Sequence, residues 1–453
     1  MTFDHPEQPD SVLPDVSPRT VSVLLEHGHL DLLVEAAGTI RAGGPGAWQC
    51  AQGAARELSR RGDREAAWQV VAPYARTRTW VAVKTAAELL ESWGRAEEAL
   101  ALVRTREGED RLAAPVEARL LVVLGRVQEA IDLLRPHLDD WYYLQGLVDA
   151  TEGAGRDEQV LELLAHHVEQ ELRTGRPLQA TVMLARVLER QGRLDEAVEA
   201  LQRNLDTGNS ISVNVVEELA RLLARHGRLR DLEELTTRSY GQYAVGELIG
   251  KLEEAGRTDA AFAAARRAAS DRPTRGSALL ADLLVRHGRP AEALEAARPL
   301  LADRDCGCHE QDLLAKLLEH GHIDTAHDLL AELVSRPPQV SDDEDGRVYL
   351  AEWEEKLTGL RIWLLAESGR ADEAIGILEG FSDDEFWLRR ETLAGILDRQ
   401  GRPDEAIAVL AASTDSLEAY ELSDLLIRQG RAREGFAVFT KAPDAPFSSV
   451  LTR

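Results

Sequence analysis

Six cysteine and histidine side chains fall within one short stretch of the sequence, and these residue types are typical zinc ligands. They are Cys306, Cys308, His309, His320, His322 and His327. The repeat described below predicts a helix that begins near His309 and ends near His320. At about 1.5 Å per residue the two ends of that helix lie roughly 16 to 21 Å apart, whereas ligands of one zinc ion lie about 2.0–2.3 Å from it. We therefore predict no metal site and no cofactor.

The sequence shows no arrangement typical of covalent or phosphate chemistry. Nucleophilic catalysis needs a serine or cysteine beside a histidine and an orienting acid, and a phosphate cradle needs a glycine-rich loop between a strand and a helix. Paired acids such as Asp195 and Glu196 return at the same place in each repeat, which indicates helix starts, where acids are favoured, rather than an acid and base pair. We predict that the protein is not an enzyme.

The composition of the chain limits the kinds of partner that it can bind and the cellular compartment that we predict for it. The formal charge is -26, from 79 acidic and 53 basic residues, and such a surface repels nucleic acid. No stretch reaches the roughly 18 apolar residues of a membrane helix, and residues 1–17 lack the basic start and apolar core of a signal peptide. Three cysteines provide no disulfide framework, and Cys50 stands alone as a small apolar residue. We predict a cytoplasmic location without membrane contact.

One phrase returns along almost the whole chain: a leucine, three residues, a glycine and then usually an arginine. Repeats of about 34 residues are typical of helix pairs. Glycine supplies the left-handed conformation that ends a helix, and leucine one turn earlier packs that end. Thirteen helix pairs are predicted, with hinges at Gly28, Gly62, Gly94, Gly125, Gly155, Gly192, Gly227, Gly256, Gly288, Gly321, Gly369, Gly401 and Gly430.

Flanking positions repeat with the same register. Leucine stands four residues before twelve of the thirteen glycines, with Thr151 as the exception, and alanine often stands five residues after them, as at Ala197 and Ala406. Small residues there let two helices approach closely. Histidine precedes the hinge at His27, His226, His287 and His320. We predict that these histidines interact with the last carbonyl groups of the first helix of their pair.

The segments LARVLERQGRLDEAVEAL (184–201) and LAGILDRQGRPDEAIAVL (393–410) resemble the tetratricopeptide repeat family. The resemblance covers about residues 18–440, although the early aromatic and the closing proline of the family pattern are missing from most units. It implies a stand-alone bacterial member with degenerate repeats. The implied fold is all-α, a right-handed α-solenoid of about 13 stacked hairpins, whose first helices line a concave groove.

Two tails and one insertion interrupt the predicted array. We expect a disordered acidic tail over 1–17, a first part of the array over 18–335, an acidic proline-containing loop over 336–347, a second part over 348–440 and a tail over 441–453. Two consecutive prolines and four consecutive acids favour a solvated loop at the insertion. The array either bends there or consists of two arrays that meet near residue 340.

The predicted function is a non-catalytic scaffold that binds a protein or peptide in the groove, and an acidic partner is the sharper form of this hypothesis. The alternative is a peptide- or ligand-sensing regulatory protein, and self-association stays open. Six residues before several hinge glycines an arginine recurs. The arginines either bind the partner or pair with neighbouring acids such as Glu88 and Asp149. The predicted partner-binding residues are Gln52, Arg56, Lys84, Arg119, Tyr142, Gln145, Arg186, Arg221 and Trp363.

Overall fold

A computed structural model describes most of the chain. The described residues are 16–39, 45–105, 111–174, 179–206, 212–301, 309–335, 344–382, 389–413 and 416–440. Within these ranges the regular structure is helical, with 26 α-helices, three short 3-10 turns and no strand. The all-α prediction is confirmed. None of the helices in these ranges has the length and apolar character that crossing a membrane requires.

The helices follow one another in pairs, and each predicted hinge glycine lies between the two members of a pair. They are α1 (Pro18–Glu26), α2 (Leu30–Thr39), α3 (Pro45–Arg60), α4 (Arg64–Ala75), α5 (Trp80–Ser92), α6 (Ala96–Val103), α7 (Ala113–Val123), α8 (Val127–Leu134), α9 (Trp141–Ala150), α10 (Asp157–Thr174), α11 (Ala180–Arg190), α12 (Leu194–Asp206), α13 (Val213–Arg225), α14 (Leu229–Thr236), α15 (Val245–Glu254), α16 (Thr258–Asp271), α17 (Pro273–Arg286), α18 (Pro290–Leu301), α19 (His309–Glu319), α20 (Ile323–Ser335), α21 (Glu344–Glu367), α22 (Ala371–Glu379), α23 (Arg389–Arg399), α24 (Pro403–Ala411), α25 (Ser416–Arg428) and α26 (Ala432–Ala437).

All thirteen predicted hinge glycines adopt positive φ, between 65° and 88°. At Gly192 the amide donates to the carbonyl of Glu189 at 2.8 Å, and the next amide, of Arg193, donates to the carbonyl of Leu188 at 2.9 Å. This pair of bonds is the Schellman arrangement that satisfies the last carbonyls of a helix. A Cβ atom placed on any of the thirteen would meet nothing within 4 Å. Backbone conformation, not lack of space, therefore requires glycine.

The repeated apolar positions form the contacts inside and between hairpins. Eleven of the twelve leucines four residues before a hinge are buried, and Leu58 is half-buried. Thr151, the exception in sequence, is fully buried, and its hydroxyl donates to the carbonyl of Leu147 at 2.6 Å. The alanines five residues after a hinge, such as Ala197 and Ala406, are likewise fully buried. The predicted register is confirmed.

Acids after the hinge lie in the first turn of each second helix, as the sequence predicted. In α12 both Asp195 and Glu196 occupy that turn. Glu196 accepts two hydrogen bonds from the guanidinium of Arg193, at 2.7 and 2.5 Å, and these bonds lower the pKa of the carboxyl. An arginine at the same place pairs with the acid three residues later in seven further hairpins. These acids support the hinge.

The chain divides into two compact units. The first comprises Met1–Gly108 and Ala351–Arg453, and the second comprises Glu109–Leu350. Hairpins α1 to α6 and α21 to α26 therefore belong chiefly to the first unit, and α7 to α20 belong to the second. Residues 1–15 and 441–453 lie outside the described residues.

In the first unit the two ends of the chain pack together. Helix α1 contacts α25, and buried residues of both, including Leu24 and Leu422, belong to one hydrophobic core. Arg19 of α1 donates two hydrogen bonds to Glu421 of α25, at 2.7 and 3.2 Å. Helices α1 and α25 contact each other in the same register as two consecutive first helices do, because Arg19 and Glu421 both stand nine residues before their hinge glycines. The first hairpin thus packs on the last as a neighbour in sequence would.

Helix α21 begins earlier than the sequence indicated. It starts at Glu344, so residues 344–347, which we expected in the acidic loop, form its first turn. The acids Glu344 and Asp345 fall at the amino terminus of a helix, where negative charge is stabilised by the helix dipole. The remainder of the predicted loop, 336–343, lies outside the described residues.

Candidate interaction surface

Asp424 of α25, six positions before its hinge glycine, is buried, but the residues at the same position of α3, α7, α9, α11 and α13 are exposed and form a row on these first helices. Each stands two residues before the packing leucine, which is about 200° around the helix, so it points away from the core. Consecutive first helices are neighbours, as in the contacts between α7 and α9 and between α9 and α11. The row has one part in each unit, and the two parts differ in how their charges are satisfied.

In the first unit three predicted binding residues already have partners within the chain. Arg56 of α3 pairs with Glu88 of α5 at 3.2 Å, and Lys84 lies 3.9 Å from the same carboxylate. The amide of Gln52 donates to the hydroxyl of Thr85 at 2.8 Å, and Thr85 is buried. These groups hold α3 against α5. Arg56 therefore agrees with the alternative hypothesis, in which the arginines pair with neighbouring acids.

Trp363, the ninth predicted residue, lies in α21 and belongs to the first unit as well. Its side chain is half-buried. The neighbouring Ile362 and Leu364 are fully buried, so the ring occupies the border between the packed face and the exposed face of the helix.

In the second unit the row retains charges without partners. Its members Arg119, Asp149, Arg186 and Arg221 are all exposed. Arg119 takes part in an interaction within the chain, and Arg221 pairs with Glu218 at 2.8 Å and with Glu217 at 3.3 Å.

Arg186 and Asp149 differ from these two arginines. Neither side chain forms an ion pair or hydrogen bond with any residue in the described ranges. They lie on the adjacent helices α11 and α9.

Aromatic side chains extend the exposed face of α9. Tyr142, Gln145 and Asp149 recur at helical spacing and share one face. The guanidinium of Arg111 lies 4.7 Å from the centre of the Tyr142 ring, and the ring of Trp141 lies 5.4 Å from it. Trp141 is 37% exposed, which is unusual for tryptophan, whereas Tyr142 and Gln145 are half-buried. This cluster therefore presents aromatic and guanidinium surface to solvent.

Ion pairs between successive hairpins are a feature that the sequence reasoning missed. Arg225 and His226, just before a hinge, both contact Glu189 in the first helix of the preceding hairpin, each at 2.9 Å. Burial alone would raise the pKa of Glu189, but the hydrogen bonds from Arg225 and His226 outweigh it and lower the pKa. Each such contact joins one hairpin to the next.

The same contact recurs elsewhere with the same spacing. Arg286 and His287 contact Glu253, at 2.6 and 2.8 Å, and Arg428 contacts Asp398 at 2.6 Å. In each case the acid stands three residues before one hinge glycine and the arginine stands two residues before the next. That spacing is the sequence signal that identifies these pairs.

The prediction that the hinge histidines contact helix carbonyls is wrong for the side chains of His226 and His287. Both imidazoles contact a glutamate of the preceding hairpin instead. The nearby carbonyls are already occupied, since that of Leu223 accepts from Arg228 and that of Ala224 accepts from Gly227. A carboxylate is also the stronger acceptor.

The cysteine and histidine stretch falls partly outside the described residues, which exclude Cys306, Cys308 and the side chain of His309. Among the described residues, no group of three His, Cys, Asp or Glu side chains is arranged to hold a metal ion. His322 lies 3.3 Å from the carbonyl of Val285 in another hairpin. Cys50 is fully buried, and burial raises the pKa of its thiol to about 12.

Comparison with known proteins returns structures and no family. No family model matches the sequence, and no curated protein matches it. A complex of Naa15 and Naa10 bound to HypK-THB matches with 14% identity and a TM-score of 0.35, covering 88% of this chain and 69% of the other. The pentatricopeptide repeat protein PPR10 from maize matches with 16% identity and a TM-score of 0.31, covering 95% and 74%.

The Cut9–Hcn1 hetero-tetramer of APC/C also matches, with 11% identity and a TM-score of 0.25, covering 96% of this chain and 97% of the other. With sequence identities and TM-scores this low, the similarities identify neither a family nor a partner for this chain.

Proposed function

We propose that this protein is a non-catalytic scaffold that holds a protein or peptide against the exposed faces of α7, α9, α11 and α13. The observation that carries the proposal is that Asp149 and Arg186 lie on the adjacent helices α9 and α11. Both are exposed, both lack a partner among the described residues, and the exposed aromatic ring of Trp141 lies on the same helix as Asp149. Elsewhere the predicted binding residues are largely engaged within the chain.

Side-chain types on this face favour protein recognition. Tryptophan, tyrosine and arginine contribute most of the binding energy at many protein interfaces, because they combine large apolar area with directed hydrogen bonds. Arg111, Tyr142 and Trp141 form such a group. Neighbouring helix axes lie about 9 Å apart, so four helices span roughly 27 Å, the length of about eight extended residues. A peptide segment of that length matches the row.

The charges on this face specify a partner of mixed charge. Arg186 offers a planar guanidinium that can bind a carboxylate through two hydrogen bonds, whereas Asp149 on the neighbouring helix offers an acceptor for a cation. A partner segment with an acid followed by a base would satisfy both groups. A purely acidic segment would meet Arg186 favourably and be repelled by Asp149.

Partner capture with matched variants tests the proposal. Wild-type protein and the Arg186→Glu, Tyr142→Ala and Arg230→Glu variants are immobilised, and proteins retained from lysate of the source cells are identified by mass spectrometry. Arg230 is the control, because it is an exposed arginine without a described partner that lies on a second helix, α14. We expect Arg186→Glu and Tyr142→Ala to lose partners that Arg230→Glu retains.

Circular dichroism melting must show that all the variants are folded like the wild type. Retention of the same proteins by all four forms would contradict the proposal.

A further inference from the structure

A second polar site lies in the second unit, away from the row. The segment that follows α14 and the turn between α16 and α17 enclose a cavity of about 220 Å³. Three arginines, Arg238, Arg272 and Arg275, line it, together with the hydroxyl group of Ser239 and the amide of Gln242. Asp271 is the single carboxylate in this lining. The cavity is thus locally cationic in a chain whose formal charge is -26.

Two of the three guanidinium groups are not neutralised by the protein. The guanidinium of Arg238 forms ion pairs with Glu234, at 3.3 Å, and with Asp206, at 4.0 Å. Arg275 has no described carboxylate partner, and its guanidinium lies 4.8 Å from the centre of the Tyr243 ring. The side chain of Arg272 likewise has no hydrogen-bond or ion-pair partner in the described ranges. Most other arginines in those ranges are paired, so Arg272 and Arg275 belong to a minority.

Close backbone packing builds the floor of the cavity. Gly276, which lines it, is buried, and a Cβ atom at that position would lie 2.1 Å from the carbonyl oxygen of Ala268. Gly241, which precedes the lining residue Gln242, is packed in a similar way, because a Cβ atom there would lie 2.3 Å from the carbonyl oxygen of Thr236. Both glycines permit contacts that any other residue would prevent. The backbone beside the cavity is therefore closely packed at both glycines, and the exposed side chains of Arg238, Arg272 and Arg275 stand on it.

The donors in the lining match an anion with several acceptor oxygens. Arginine binds phosphate and carboxylate through two parallel hydrogen bonds, and Ser239 and Gln242 have no described partner for their side chains. The hydroxyl of Thr236 donates to the carbonyl of Glu233 at 2.7 Å and is already engaged. A phosphate monoester carries a charge of about -1.5 to -2 and three strong acceptor oxygens, which suits two free guanidinium groups better than a single carboxylate does.

We propose that this cavity binds a phosphate monoester. Its volume lies below the roughly 300 Å³ of typical small-molecule pockets, so the phosphate and a few attached atoms fill it. The monoester is either a small phosphorylated compound or a phosphorylated side chain of a protein. None of the cavity residues belongs to the exposed row, and the site does not depend on the scaffold function.

Titration calorimetry tests the site with three probes: inorganic phosphate, phosphoserine, and a short glycine-rich peptide that carries one phosphoserine. The unphosphorylated peptide is the negative control. We expect saturable binding of the phosphorylated probes, weakened at least about tenfold by Arg272→Gln and by Arg275→Gln, since hydrogen bonds to a charged group are among the strongest in proteins. Arg267→Gln is the matched control, because Arg267 is exposed on α16 and does not line the cavity.

Phosphopeptide binding that is tighter than phosphoserine binding supports the site and assigns it to phosphorylated protein. Equal binding supports it and assigns it to small phosphorylated compounds. The proposal is overturned if neither phosphoserine nor the phosphopeptide binds wild-type protein, or if folded Arg272→Gln and Arg275→Gln variants bind them as the wild type does. We expect Arg186→Glu to bind the phosphorylated probes as the wild type does, whether or not it loses protein partners. Failure of the scaffold proposal can therefore be distinguished from failure of this one.

Discussion

Arg19 in α1 and Asp424 in α25 lie 2.8 Å apart, so an ion pair joins the first described hairpin to the last one. Asp424 is 1% exposed, and burial raises the pKa of its carboxyl, an effect that the charge of Arg19 partly offsets. Glu421 and Arg428 are the other charged groups that act on this carboxyl. Terminal repeats of a helical array are normally its least protected part, because each has only one neighbour. Here the first hairpin has two.

We expect Arg19→Ala to loosen α1 selectively. The change leaves a buried carboxylate without its cation, at a cost of about 1–2 kcal/mol, because an unpaired buried charge is destabilising. Hydrogen exchange should accelerate at the amides of α1 and remain unchanged in α11, which lies in the other unit.

The pH dependence supplies a second check on this ion pair. Since the folded-state pKa of Asp424 is raised, its charged form opposes folding as the pH rises above the ordinary aspartate range near 3.9. The effect of Arg19→Ala should therefore be larger at pH 7 than at pH 4. In an Asp424→Asn background the effect of Arg19→Ala on stability should depend much less on pH. An equal effect of Arg19→Ala at both pH values in the protein that keeps Asp424 would contradict the prediction.

Substitution of a hinge glycine should destabilise the fold through the backbone alone. Gly227 has φ +65° and free space where a Cβ atom would lie, so Gly227→Ala forces alanine into the left-handed region at a cost of about 1–2 kcal/mol. Gly250 in α15 also has free space but ordinary helical geometry, and Gly250→Ala should stabilise by about 0.5–1 kcal/mol. Thermal melting should move in opposite directions for the two variants. A shift in the same direction for both variants would contradict the prediction that φ decides the sign.

The contact of Glu189 with Arg225 and His226 should make stability depend on pH at the acid end. The folded-state pKa of Glu189 is lowered, so its stabilising effect is complete above the unfolded pKa, near 4.3, and is lost as the pH falls through the folded value. Glu189→Gln should lower thermal stability by about 1 kcal/mol at pH 7 and have a smaller effect near pH 3. The control is Glu199→Gln, an exposed glutamate without a described partner. Equal effects of the two substitutions at pH 7 would contradict this account.

Cys50 should be chemically inert while the protein is folded. Its thiol is fully buried, and with a pKa of about 12 roughly one molecule in ten thousand carries the thiolate at pH 8. In a Cys306→Ser and Cys308→Ser background, a thiol-reactive dye should label native protein negligibly and label one thiol per chain in denaturant. Rapid labelling of native protein would show that the core around α3 opens.

Several local features could be predicted from sequence because a few neighbouring residues decide them. The left-handed glycines, the buried leucine four residues earlier and the buried alanine five residues later depend on helical periodicity and on the conformations that each residue type tolerates. The acids in the first turn of α12 follow from the same local rules. The start of α21 lies earlier than the sequence indicated, because acidic residues are common both in loops and in the first turn of a helix.

The candidate site was predicted only in part. A recurring arginine six residues before the hinge correctly indicated exposed positions, but it could not separate Arg56, which pairs with Glu88, from Arg186, which has no partner in the described ranges. Whether a side chain reaches a neighbour depends on the distance and rotation between adjacent helices, and the repeat pattern does not encode these. The histidine prediction failed for the same reason, since Glu189 comes within reach of His226 only after the hairpins stack.

The sequence by itself determined the thirteen hairpins, their hinges and their buried faces, because those features arise from interactions within about 34 residues. Tertiary structure alone decided that Arg19 meets Asp424, and that the walls of the arginine-lined cavity come together beside Arg272 and Arg275. Small rotations between successive repeats add up along a helical array, and no single repeat specifies their total. Contacts between hairpins therefore depend on how the hairpins pack, which the sequence of one repeat does not specify.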